Sequence, residues 1–170
     1  MRKQQKGFSL IELLIVVAII LIIAAIAIPN LMRSRMAANE SSAVGSLRTI
    51  NTAEVTYQTT YQTGYAAALA NLGGPDPCGP ATAVTSCLID SVVSAGVKSG
   101  YNITAVGAGG AGTALNPNTT FESGASPVAP GQSGQRSFCG DESGVIRGNP
   151  AGGVPAPPCA TAAGYTPLGN

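Results

Sequence analysis

One acidic residue inside a long apolar run constrains this chain more than any other feature. The 21 residues from Phe8 to Ile28, FSLIELLIVVAIILIIAAIAI, carry a single ionisable side chain, Glu12. At about 1.5 Å rise per residue, a helix of that length reaches about 31 Å, enough to span a bilayer core. The preceding MRKQQKG holds Arg2, Lys3 and Lys6. Basic residues stay on the cytoplasmic side, which puts the bulk of the chain outside. The run is too long for the apolar region of a secretory signal, and the following PNLMRSR offers no small-x-small cleavage site. A plain anchor explains the length but not the acid. A carboxylate deep in a membrane helix costs up to about 2.5–3.5 kcal/mol, less near the interface. Glu12 therefore marks a function and calls for a partner.

Beyond the run the composition changes. From Gly64 onward, 20 Gly and 11 Pro fall among 107 residues, so the remaining core is thin and needs staples. Cys78, Cys87, Cys139 and Cys159 supply them. An even count with no CxxC pair reads as two disulfides in an oxidising compartment. Of the three possible pairings we favour Cys78–Cys87, which closes a short Pro/Gly loop. Its companion is Cys139–Cys159, which ties the C-terminal coil to the strand RSFC. A formal charge of +1 gives no case for nucleic acid as the main partner. There is no His, the side chain most used as a general base and metal ligand, which weakens hydrolytic and metal readings. No cofactor is implied.

Helical periodicity continues from Asn30 to about Thr63. Met36, Ala43, Leu47, Ile50, Tyr57 and Tyr61 line one face, and Glu54 occupies the missing position in that stripe. The other faces carry Ser, Thr and Asn, weak helix formers, so this half needs a packing partner. Pro29 predicts a kink and Gly64 a stop. Short helical turns are expected at 66–72 and 88–95. Strands are expected at 101–106, at 119–123 with 125–128, and at 136–139 and 145–147 flanking the turn GDESG. The tail GNPAGGVPAPPCATAAGYTPLGN reads as coil. The expected class is α+β: a long N-terminal helix packed on a small antiparallel sheet.

The string KGFSLIELLIVVAIILIIAAIAIP, from Lys6 to Pro29, resembles the N-terminus of type IV prepilins and of type II secretion pseudopilins. That resemblance implies a leader, residues 1–7, cut after Gly7 by a prepilin peptidase that also N-methylates Phe8. It implies that Glu12 promotes subunit addition by facing the α-amine of a neighbour's first residue. It implies a helix over 8–63, with 8–28 as its membrane and assembly part, and a head over 64–170. Pro29 sits where many pilins have a proline. Parts of the head, LID…KSGYNITAV and ASPVAPGQSGQRSFCGDESGVIR, also resemble this family, while Gly107–Gly112 and the proline-rich tail depart from it.

The implied function is structural: a subunit polymerised through its N-terminal helix into a type IV pilus. The implied partners are identical subunits, the peptidase, an inner-membrane assembly platform and, before assembly, the bilayer. The implied location is the inner membrane, then a periplasmic or extracellular filament. The nearest alternative is a pseudopilin. A minor pilin acting as adhesin or DNA receptor needs a basic or aromatic patch, and Arg136 with Arg147 make a poor one. A membrane-tethered hydrolase lacks a base. Asp141 and Glu142 read as solvated turn acids rather than a calcium site. GAGGAG at 107–112 follows no strand into a helix and is a weak nucleotide motif. Asn102 and Asn118 fit a glycosylation pattern of little weight.

Overall fold

The computed structural model describes residues 8–155 and 157–169. Two compact units emerge, one ending at Arg35 and one running from Met36.

Helix α1 spans Leu10–Tyr61, 52 residues. In the first unit its large apolar side chains are exposed, Leu10 and Ile22 by 75% and 64%. It is the one helix among the described residues that is long and apolar enough to cross a membrane. Pro29 lies inside it without ending it, although the missing N–H deprives the Ala25 carbonyl of its donor.

In the second unit α1 becomes one-sided. Ala43, Leu47, Ile50, Ala53 and Tyr57 are buried, following the 3.6-residue period of the apolar stripe. Met36 and Tyr61, at the ends of the stripe, are half-buried. The helix stops at Tyr61, and Gly64 then turns the chain with φ +79°. A Cβ at Gly64 would run into the Asn118 backbone, so this position requires glycine for space as well as for conformation. Asn118 pairs with the turn from both sides: its N–H donates to Thr63, its carbonyl accepts from Tyr65, and its side-chain amide donates to the Tyr65 carbonyl.

Short helices α2 (Leu69–Leu72) and α3 (Ser91–Ser94) follow, the second capped by Asp90, which accepts from the Val93 N–H. Six strands then form an antiparallel meander in chain order: β1 (Val97–Lys98), β2 (Tyr101–Ala108), β3 (Thr120–Pro127), β4 (Ser137–Asp141), β5 (Ile146–Asn149) and β6 (Thr166–Pro167). The two strand pieces expected at 119–128 form one continuous strand, β3. The expected C-terminal coil contains β6, and the two-residue β1 lies at the other edge. Neither two-residue strand is long enough to show an alternating pattern.

The sheet packs one face on α1. On β2 the alternation is plain: Tyr101, Ile103 and Ala105 are buried, whereas Asn102, Thr104 and Val106 are exposed. Ala125, Phe138 and Ile146 join them in the core with Leu47 and Ile50. All five residues of β4 are buried, because its opposite face is covered too. Cys139 points away from Phe138 and bonds Cys159 of the tail. The Glu122 carboxylate accepts from the Cys159 N–H at 3.2 Å, and the hydroxyls of Ser137 and Tyr165 meet at 2.7 Å. Gly124 makes room for this tail: a Cβ there would press on Pro155 at 3.2 Å. The second disulfide joins Cys78 to Cys87 across the loop between α2 and α3.

Candidate functional site

The start of α1 holds the residues that the sequence singles out. Ser9 precedes the first helical residue, Leu10, and Glu12 is the third residue of the helix. The Ser9 N–H donates to Glu12 Oε2 at 2.9 Å, which is half of a capping box. The pattern Ser9-x-x-Glu12 carries that signal in the sequence. The capping contact fixes the carboxylate against the first turn, where the helix dipole favours a negative charge. Phe8 is 85% exposed just before it. The N-terminal turn thus presents an aromatic residue and a fixed carboxylate side by side, at the tip of an apolar rod with no covering partner among the described residues. Gly7 and the rest of the expected leader lie outside the described residues.

Elsewhere, two carboxylates bind α1 to the head. Glu40 accepts from the Gln135 and Arg136 N–H groups at 3.0 and 3.1 Å and from Arg136 Nε at 2.7 Å. Burial raises its pKa, but these hydrogen bonds and the guanidinium charge outweigh burial and hold it below the ordinary carboxylate value. Glu54 is fully buried. Its Oε2 accepts from the Ala66 N–H at 2.7 Å, while Oε1 has no protein partner. Burial pushes its pKa up to about 7, against the opposing pull of that one N–H. Glu54 stands out in sequence as the polar gap in an apolar stripe; Glu40 has no comparable signal, because its partners lie more than ninety residues away.

The remaining candidates are internally satisfied. Asp141 pairs with Arg147 at 2.7 Å and accepts from the Ser143 hydroxyl, and Glu142 is exposed. Arg136 is spent on Glu40 and lies over the Phe138 ring, 5.4 Å from its centroid. Neither arginine contributes to a free basic patch. Asn118 is buried and hydrogen-bonded, whereas Asn102 is exposed on β2.

Comparison with known proteins draws attention to the same N-terminal segment. The prokaryotic N-terminal methylation motif family matches residues 2–28. The type IV wide pilus major component PilA4 of Thermus thermophilus is 44% identical over 77 residues, covering 42% of this chain and 56% of that protein. The chain is similar to type IV pilins and carries the N-terminal methylation motif. The type IV major pilin protein PilA of Myxococcus xanthus is 46% identical over 54 residues, 32% of this chain and 24% of that relative. The chain thus spans about half the length of the first relative and a quarter of the second. No solved structure matches it significantly. A long apolar N-terminal helix with a six-stranded antiparallel sheet is a pilin-like α+β arrangement.

Proposed function

We propose that this chain is a structural subunit, without enzymatic activity, that polymerises through the N-terminal part of α1 into a type IV pilus. One observation carries the reading: an exposed apolar helix bears a fixed carboxylate one turn above Phe8. In the bilayer that helix is the anchor, with its N-terminus on the cytoplasmic side. Prepilin peptidase cuts between Gly7 and Phe8 and methylates the new amine. An axially shifted neighbour then brings its Phe8 ammonium to Glu12. In low dielectric such a pair is favourable only when both members are present, so a correctly staggered subunit relieves the lone carboxylate and a misplaced one does not. Pro29 lets the helix bend where it leaves the packed apolar part.

The test is Glu12→Ala in cells with no other source of this subunit. Membrane insertion persists, because an expensive polar group has been removed. Sheared surface filaments, viewed by electron microscopy, fall to background, and mass spectrometry of the membrane pool finds N-methylated Phe8 as first residue. Normal filament yield from the mutant refutes the ion-pair account, and an uncut Met1 refutes the processing. Filaments confined to the periplasm assign the subunit to type II secretion instead of a surface pilus.

A further inference from the structure

Within the second unit few charges are left over after internal pairing. Three ion pairs close within the second unit: Lys98–Asp90, Arg136–Glu40 and Arg147–Asp141. Among the described residues the cations outside these pairs are Arg33, Arg35 and Arg48, all exposed and all on α1. The exposed acids outside them in the second unit are Asp76 and Glu142, both on loops.

Arg48 is exposed on a helix face that no described residue covers. With Thr52, Val55 and Thr56 it borders a shallow groove closed on the far side by Gly144. The hydroxyls of Thr49, Thr52 and Thr56 donate back to the helix carbonyls of Gly45, Arg48 and Thr52 at 3.0–3.1 Å. Those polar groups are already satisfied, so covering the face strands none of them. What the face offers a partner is one guanidinium and one half-exposed apolar side chain, Val55. Asp76 presents the complement. It is flanked by Pro75 and Pro77, immediately before the loop that the Cys78–Cys87 bond closes, and Val84 is exposed within that loop. Two flanking prolines, with the disulfide-closed loop beginning one residue beyond them, leave this segment little freedom to lose on docking.

We propose that the Arg48–Val55 face of α1 receives the Asp76 loop of a second copy of this chain. Symmetry selects Asp76 over Glu142. Glu142 is followed by Ser143 and Gly144, which border the same groove system as Arg48. An Arg48–Glu142 contact uses one patch on both copies and closes at a two-fold pair. An Arg48–Asp76 contact uses two different patches, leaves one of each free, and repeats along an open helix. The proposal rests on the filament reading and adds to it the head contact that sets subunit register.

The experiment uses the full chain as sole subunit, with sheared filament mass normalised to the membrane pool of processed protein. Arg48→Asp and Asp76→Arg each place like charges across the contact and lower the yield about tenfold. The reciprocal double variant, Arg48→Asp with Asp76→Arg, returns it to near the parental level. Parental yield in either single variant, or a double variant no better than the poorer single, overturns the contact. So does rescue of Arg48→Asp by Glu142→Arg. Non-reducing peptide maps of the membrane pool check that the head is folded. Arg48→Gln and Asp76→Asn, which remove charge without reversing it, give a smaller loss and keep the test readable if a reversal misfolds. Glu12→Ala is run in parallel: its failure to abolish filaments sinks the filament reading, a result distinct from any outcome at Arg48 or Asp76.

Discussion

Glu54→Gln should make the head less sensitive to a pH range in which the parent weakens. The carboxyl is fully buried, with one N–H partner at 2.7 Å and an oxygen that has none, and its pKa is pushed up to about 7. In the unfolded chain the same group titrates near 4.5. A raised folded-state pKa means that the folded form holds its proton while the unfolded form loses it. The protonated group's contribution is therefore fully present below about pH 4.5, declines as pH rises, and is gone above about pH 7. The separation of about 2.5 units corresponds to roughly 3 kcal/mol, an order-of-magnitude figure. For a head of this size that is on the order of 10 °C in melting temperature. Glu122, also raised by burial, adds to the parental slope in the same direction, so the difference between parent and variant is the informative quantity. Glutamine keeps an oxygen for the Ala66 N–H and removes the titration. Thermal melts of the full chain in detergent, followed by tyrosine near-UV dichroism from pH 4.5 to 8, should show the variant gaining on the parent as pH rises. A constant difference between the two across that range refutes the buried-carboxylate account.

Two further outcomes follow from the same packing. Glu40→Gln weakens the three hydrogen bonds that join α1 to Gln135 and Arg136 and should destabilise the head by roughly 2 kcal/mol at pH 7. Its folded pKa is lowered, so that stability is present above the ordinary carboxylate value and lost as pH falls below it; acid melts should bring parent and variant together. Cys159→Ser releases the tail from β4, at a cost of up to roughly 3 kcal/mol, and should make the segment after Arg147 protease-sensitive while α1 still inserts. An unchanged digestion pattern rejects the stapling role, and a Cys78–Cys139 or Cys87–Cys159 peptide rejects the pairing.

What was legible in the sequence was what depends on near neighbours. The apolar run needs no partner to be read as a membrane-length helix, because its backbone hydrogen bonds are internal and its length is counted directly. The stripe from Ala43 to Tyr57 identifies the buried face of α1 because a 3.6-residue period is local. The turn GDESG and the alternation in YNITAV mark β2, β4 and β5 for the same reason. Tertiary structure decided the rest. Strands β1 and β6 have two residues each and exist only because β2 and β5 present edges to them. Burial of β4 on both faces depends on a tail whose prolines and glycines show no pattern, held across the sheet by Cys159, the Glu122 carboxylate and Tyr165. Glu40 and Glu54 both lie on α1, yet one is held below its ordinary pKa and the other well above it. The first meets two backbone N–H groups and a guanidinium, the second a single N–H in an apolar wall. Residue identity fixes a carboxylate's intrinsic acidity, but the partners that shift it come from distant parts of the chain, and only folding brings them within reach.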